Sequence, residues 1–326
     1  MKNYRWGIIG TGRIARSFAE ALKGSPNAGL YAVASRSADK AAAFATEFGF
    51  EKSYGSYDEL ASDNNVDIVY IATPMASHYA DSMLCITHGR NVLCEKSISL
   101  NAVQLEEMLS AAKSSGVFFM EAMWMKCRPS YLKALDWIRS GRIGRVKYVK
   151  ADFCCSVPYN KDDRLFSPEC GGGALLDVGV YPITFAADIL GDTPDEIIST
   201  ANIVYGIDMS NSITLKYGDS TAVLQSGFEM ECSNKALISG EKGMIVFGEW
   251  FHCSDEVTLF DRDGMEIEKS VLPVMINGYE YEIIEAQNCL EDGLTESPLI
   301  PHSGTLAVMK IMDKCRKDWG LRYPGE

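Results

Sequence analysis

The stretch "RWGIIGTGRIARSFAEALKGS", Arg5 to Ser25, decides how the N-terminal region is read. Its first six residues make a short apolar run that reads as a buried strand, and from Arg13 the apolar spacing is that of an amphipathic helix. Between them stand Gly10-Thr11-Gly12-Arg13-Ile14-Ala15, a G-x-G-x-x-A pattern in the strand-then-helix context that gives it meaning. Gly10 permits the tight turn, Gly12 lets backbone approach a pyrophosphate, and Ala15 keeps helix and strand close. The helix start then offers unpaired N–H groups to phosphates. An ordinary glycine turn is the alternative. The second strand that follows in register favours a dinucleotide site.

Outward from this turn, apolar runs alternate with helical patterns, the mark of βαβ units around a parallel sheet. "LYAVASR" is a strand, "ADKAAAFATEFG" a helix, and "VDIVYIATP" an almost wholly apolar strand of the kind that helices cover on both faces. "HYADSMLCITHG", "NVLCEK", "NAVQLEEMLSAAKSSG" and "VFFMEAMW" continue as helix, strand, helix and strand. The expected fold class is therefore α/β: a Rossmann doubly wound domain over residues 1–124. In such folds ligands sit outside the carboxyl ends of the strands. That rule places Ser35 and Arg36, Thr73 and Pro74 with His78 beyond them, and Glu95-Lys96 on the cofactor side. NAD sites usually put Asp or Glu after the second strand, whereas the fork of Arg36 suits a 2′-phosphate. NADP is expected, with NAD as second choice, and a solvated surface arginine is the bland alternative. His78, in the turn after "IATP", reads as a packing or cofactor-side residue rather than a catalyst.

From about Trp124 the pattern changes. After the helix "YLKALDWIRSG", strands dominate: "VKYVKADF", "EIISTANIVYG", "SITLKYG", "TAVLQSGFEM", "KALISG" and "GMIVFG". Tyrosine, threonine and valine alternate with polar residues, and Gly-Asp, Gly-Glu and Asp-Gly supply turns, which predicts an open, mostly antiparallel sheet. One long helical pattern, "GALLDVGVYPITFAADILG", interrupts it, and "TLAVMKIMDKCRKDWG" closes the chain. Residues 125–326 are expected to form a single α+β domain.

Composition narrows the partners. With 31 Lys+Arg against 44 Asp+Glu, the net charge of -13 repels nucleic acid and anionic membrane surfaces. The longest apolar runs fall well short of the roughly 20 residues that span a bilayer. No signal-peptide pattern opens the chain, so a cytoplasmic address is expected. The ten cysteines and four histidines lack metal-ligand spacing; Cys154 and Cys155 are adjacent, and no C-x-x-C pair occurs. No metal is expected, and thiols should stay reduced.

In "DVGVYP", Asp177 and Tyr181 are four apart and share a helix face. Pro182 is tolerated in a helix's first turn, which predicts a helix start near Val178 with Asp177 as N-cap. A packed aromatic is the plain alternative for Tyr181. The glycines Gly171 to Gly173 would let the chain pass close to a ligand.

Taken together, "GIIGTGRIA", "VYIATP" followed by His78, "HGRNVLCEK", "EAMW" and "GGGALLDVGVYPI" resemble the Gfo/Idh/MocA oxidoreductases. The likeness runs over nearly the whole chain and is strongest to the branch of dimeric dihydrodiol and NADP-dependent D-xylose dehydrogenases. It implies a Rossmann domain paired with an open-sheet domain, and NADP-dependent hydride transfer on a secondary hydroxyl of a sugar, polyol or dihydrodiol. The family's E-K-P motif maps onto Glu95 and Lys96, its lysine meeting substrate and nicotinamide ribose. The D-x-G-x-H/Y motif maps onto Asp177, Gly179 and Tyr181, with Tyr181 as the proton-transfer residue. An ammonium near a tyrosine, whose free pKa is about 10, favours the phenolate that a general base needs.

Two departures stand out: Ser97 replaces the motif's proline, and Trp124-Met125-Lys126 replaces Trp-x-Arg, so a bidentate donor becomes a point charge. Trp124 is a candidate for the cofactor side and Lys126 and Arg164 for the substrate side, with a structural role the plain alternative for Trp124 and Arg164. Relatives cover the open sheet by pairing, which makes a homodimer the expected assembly. Two other functions fit the fold: a cofactor-binding sugar sensor without turnover, and an NAD-dependent glycosidase that retains its dinucleotide tightly.

Overall fold

A computed structural model describes residues 2–324 and 326. The chain divides into two compact units: residues up to Cys127 together with Val274–His302, and Arg128–Pro273 together with the chain from Ser303 onward. The first crossing thus falls just beyond the expected boundary at Trp124. The segment Val274–His302 belongs to the first unit, where a second domain running unbroken over 125–326 was expected.

The first unit runs β1 (Tyr4–Ile9), α1 (Arg13–Gly24), β2 (Ala28–Ala34), α2 (Ala38–Phe48), β3 (Lys52–Tyr54), α3 (Tyr57–Ser62), β4 (Ile68–Ile71), α4 (Met75–Thr87), β5 (Asn91–Glu95), α5 (Ala102–Ser115) and β6 (Phe119–Ala122). The strands form one parallel sheet in the order β3-β2-β1-β4-β5-β6, the Rossmann order with its switch point between β1 and β4. Every residue of β4 is buried, as a strand covered on both faces requires. Helix ends follow local chemistry. The Ser37 side chain accepts from the Lys40 N–H at the start of α2, which stops at Gly49 with φ +87°, and Ser56 with Glu59 makes a capping box before α3.

Register then builds the functional edge. Ile9 lies opposite both Ala34 and Ile71, Ile71 opposite Cys94, and Glu95 opposite Ala122. The carboxyl ends of β1, β2, β4, β5 and β6 are level, so the turns beyond them open on one side of the sheet.

The chain continues with α6 (Pro129–Arg139), β7 (Val146–Cys154), α7 (Val180–Leu190), β8 (Glu196–Val204), β9 (Ile207–Tyr217), β10 (Ser220–Gly227), β11 (Ala236–Gly240), β12 (Gly243–Phe247), β13 (Glu256–Asp261) and β14 (Glu266–Val271). Helix α8 (Glu280–Glu291) returns to the first unit, and α9 (His302–Trp319) closes the second. The second unit's eight strands run in the order β14-β13-β12-β11-β7-β10-β9-β8. Only β7 and β10 pair in parallel; the other neighbours are antiparallel.

Helix α7 packs on β7 and β10, over Val149, Ala151, Ala222 and Leu224. On the opposite face Ile198, Thr214, Val223 and Lys150 form a register row, with Ile198 51% and Val223 38% exposed. The helical run Pro168–Leu190 is apolar and long enough, by composition alone, to cross a membrane, contrary to the run lengths expected from sequence. Its apolar window is 78% buried inside the protein, which is how the core helix of a packed domain reads.

Candidate active site

Gly10 takes φ +106°, and a Cβ there would come within 2.7 Å of the Ala72 carbonyl oxygen, so the turn after β1 fits against the turn after β4 only as glycine. Gly12 is the N-cap of α1 and has no side-chain cap bond; a Cβ at that position would meet nothing within 4 Å. The first N–H groups of α1, at Arg13 and Ile14, follow this open position, with no acidic residue in the first turn to repel an anion. This cradle fits a dinucleotide pyrophosphate. At the end of β2, Ser35 is buried and its hydroxyl accepts from the Ser37 N–H, while Arg36 is exposed and its guanidinium meets the Tyr57 hydroxyl. No carboxylate stands directly after β2. Asp81, on α4, takes the Thr73 hydroxyl at 2.6 Å; burial raises its pKa, against the pull of Thr73 and of the Arg36 charge. Pro74 caps α4.

Lys96 follows β5 at the level of the glycine turn and is half-buried. The Lys96–Ser97 peptide is cis. Three groups hold the backbone around it. Both ring nitrogens of buried His78 lie 2.9 Å from carbonyl oxygens, of Ser97 and of Thr73, which ties the turn after β5 to the turn after β4. Glu121, on β6, accepts the Ile98 N–H at 3.3 Å. Glu95 accepts from the Lys96 N–H at 3.2 Å and from the buried Tyr70 hydroxyl. The glutamate of the pair therefore fixes the backbone from which the lysine projects.

Sequence reasoning did not find Glu282. This α8 residue is fully buried and, among the described residues, neither carboxyl oxygen has a hydrogen-bond partner. Burial first, and the Glu95 charge second, push its pKa well above the usual carboxylate range, so it is held as a neutral acid. The raised folded pKa means that stability falls as pH climbs above the ordinary glutamate range, because the unfolded chain releases this proton first. In Glu282→Gln that loss disappears. The variant's melting point should gain on the parent's by about 2 °C per pH unit above pH 5, from roughly 1.4 kcal/mol per unit. Calorimetry between pH 5 and 8 checks it, and a constant difference would mean that Glu282 is ionised throughout.

Trp124 opens a short 3-10 turn, Trp124–Cys127, and its indole stacks on Tyr279 with centroids 4.7 Å apart and planes 14° apart. Lys126, in the same turn, is only 8% exposed. The stacking partner arrives from beyond residue 274, which no local pattern around "EAMW" announces.

In the second unit the helix does not start where the proline rule placed it. Leu175–Gly179 forms a π-helical turn that runs directly into α7, so Asp177 lies inside helical structure and is not an N-cap. The wider turn just before α7 puts Pro182 in the first turn of that helix, where its missing N–H costs little. Asp177 accepts instead from Arg164 at 3.0 Å. Tyr181 is 6% exposed, its ring beside His252 (4.8 Å) and Phe153 (5.5 Å). The glycines before it serve chain crossings within the unit. A Cβ on Gly172 would meet the Leu165 carbonyl oxygen at 2.6 Å, and one on Gly173 the Asp208 carboxylate at 2.5 Å.

All ten cysteines are free thiols, and no group of three or more His, Cys, Asp or Glu among the described residues could hold a metal ion.

A pyrophosphate cradle at the switch point of a Rossmann sheet, with a cation at the level of that cradle, defines a dinucleotide-dependent oxidoreductase unit. The chain belongs to the Gfo/Idh/MocA family: residues 4–123 match the oxidoreductase family with NAD-binding Rossmann fold, and residues 131–246 match the GFO/IDH/MocA C-terminal domain. It is an NAD(P)-dependent oxidoreductase. It is 33% identical over 330 residues to the trans-1,2-dihydrobenzene-1,2-diol dehydrogenase of Xenopus tropicalis, covering 98% of this chain and 99% of that one. Among solved structures it resembles a 3-ketoreductase from Actinomadura kijaniata in complex with NADP and TDP-benzene. That likeness has TM-score 0.86 and 26% identity, over 97% of this chain and 98% of that one. The aldose-aldose oxidoreductase of Caulobacter crescentus shares the fold, with TM-score 0.88 and 20% identity, over 97% of each chain.

Proposed function

We propose that the protein transfers hydride between NADP and a secondary hydroxyl, or the corresponding carbonyl, of a sugar, cyclic polyol or dihydrodiol. The observation that carries this reading is Glu95-Lys96 at the carboxyl end of β5, level with the open cradle at Gly12. When bound, the nicotinamide accepts or donates the hydride. Lys96 holds the reacting oxygen and the ribose beside it, and Tyr181 takes or returns the hydroxyl proton. Arg164 and Asp177 orient one another on the substrate side, and Trp124, fixed by its stack on Tyr279, borders the cofactor. The names of the relatives support the substrate class: one acts on a ring diol, another is a ketoreductase solved with NADP. A spectrophotometric screen of aldoses, cyclic polyols, trans-dihydrodiols and dicarbonyls with both dinucleotides tests it. No turnover across that panel would overturn it.

Arg36 is the proposed 2′-phosphate ligand. Arg36→Asp should weaken NADP binding by about 10–100-fold, since a hydrogen bond between charged groups is worth about 1.5–3 kcal/mol, and should improve NAD binding by adding a ribose acceptor. Titration of each nucleotide into both proteins reads this directly, and unchanged NADP affinity refutes the assignment. The register row Ile198, Thr214, Val223 and Lys150 is the proposed homodimer face. Val223→Glu should shift the protein to monomer in size-exclusion chromatography with light scattering.

A further inference from the structure

We infer that Asp208, working through Asn211 and Ser226, is the positioning group of the helix that carries Tyr181, an inference that rests on the proton-transfer role proposed for that tyrosine. Asp208 stands at the start of β9 and is fully buried. Its Oδ2 accepts the Leu175 N–H at 2.8 Å, the first residue of the π-helical turn, and the Asn211 side-chain amide at 2.9 Å. Asn211 in turn accepts from the Ser226 hydroxyl at 2.9 Å, its cross-strand partner on β10. Ser226 closes against the far end of the same turn: a Cβ on Gly179 would sit 2.8 Å from its Oγ. The two ends of the five-residue turn, Leu175 and Gly179, thus rest on one polar row of the sheet. The residues between and just after them include Asp177 and Tyr181.

The row has a second anchor. The Tyr323 hydroxyl donates to the Gly172 carbonyl at 2.7 Å, and Gly173 lies between that hydroxyl and the Asp208 carboxyl. The other carboxyl oxygen, Oδ1, is buried with no hydrogen-bond partner among the described residues. An asparagine would offer the same acceptor to Leu175 without a buried charge to desolvate, so a carboxyl here is chemically distinct only if it titrates. Burial pushes the Asp208 pKa up to about 7, against the pull of Asn211, of the Leu175 N–H and of Arg316. The titratable and charged groups that act around it are Arg316 and Cys315 of α9 and Tyr323 of the C-terminal segment, with Arg316 itself held by Asp313 and Glu326. The group that holds the turn is thus a carboxyl whose pKa burial lifts toward neutral pH.

The test compares Asp208→Leu and Asp208→Asn in the full chain by hydrogen exchange with mass spectrometry and by steady-state kinetics. In Asp208→Leu, amides of residues 174–181 should exchange at least about tenfold faster while first-unit peptides keep the parent rate. Its kcat should fall by about 10–100-fold with the KM for NADP unchanged, since misplacing a reacting group costs rate before affinity. Asp208→Asn should restore protection and most of kcat, and should lack the bend near pH 7 expected in the parent's kcat profile. Parent-like exchange over 174–181 in Asp208→Leu overturns the inference, as does faster exchange there with kcat unchanged. Should Asp208→Leu not fold, Asn211→Ala decides: parent-like exchange over residues 174–181 in that variant overturns the inference. Exchange needs no turnover, so failure of this inference is told apart from failure of the role given to Tyr181.

Discussion

Tyr181→Phe is expected to lower turnover by about 10²–10⁴-fold, the usual worth of a positioned acid or base, with NADP affinity kept within about twofold. The substitution removes one oxygen and leaves the ring. Since Tyr181 packs by its ring against His252 and Phe153, phenylalanine keeps that packing, and loss of the buried hydroxyl should cost no more than about 1–3 kcal/mol. A loss of rate without a loss of fold would then belong to the hydroxyl. Lys96→Met keeps the aliphatic stem and deletes the ammonium, so turnover and cofactor binding should fall together, because the same charge is proposed to serve both. If lysine and tyrosine work on one proton transfer, their losses cannot add: the double variant should be little worse than the poorer single. Steady-state kinetics of the three variants, on whichever substrate the panel yields, measures this. Full activity in Tyr181→Phe would remove the proton-transfer role, and additive losses would show that Lys96 acts in a separate step.

Sequence alone exposes those parts of this protein whose causes are local. The turn at Gly10–Ala15, the buried run Ile68–Ile71 and the strand that ends at Glu95 each follow from a few adjacent residues, and their register brings them level as the fold class implies. The parts missed have distant causes. Trp124 meets its stacking partner Tyr279 only because α8 returns to the first unit, and Glu282 is buried for the same reason. Strand β14 is not legible in the sequence because it is mostly exposed and polar and carries no apolar alternation to read. The helix start was misplaced because the proline rule assumes uniform α-helical geometry. A π-helical turn has no local signature, and what fixes this one, Asp208 and Ser226, lies on strands more than thirty residues later in the chain. Composition at Gly171–Gly173 shows that a chain passes closely there, but not that Gly172 and Gly173 meet the Leu165 carbonyl and the Asp208 carboxyl.

Gly173→Ala gives that close passage a value. Gly173 sits at φ +119°, outside the region that alanine adopts without strain, and its new methyl would lie 2.5 Å from Asp208 Oδ1 and 3.1 Å from the Tyr323 hydroxyl. Backbone strain of this kind costs about 1–3 kcal/mol. The carboxyl cannot retreat without lengthening its bonds to Leu175 and Asn211, which adds about 1 kcal/mol for each bond weakened. The expected total, about 3–5 kcal/mol, corresponds to a melting point roughly 4–7 °C below the parent's. Gly141→Ala is the matched control: it also has positive φ, at +73°, and a Cβ there meets nothing within 4 Å, so it should cost only about 1–2 kcal/mol. The excess of the first loss over the second combines the contact with Asp208 and the greater strain of φ +119° over +73°. Calorimetry of both variants at one pH makes the measurement, and a second scan at pH 5.5, where Asp208 carries its proton, should leave the order unchanged because the clash is steric. Equal losses in the two variants would mean that the carboxyl yields freely, and that the turn before Tyr181 is not held from below.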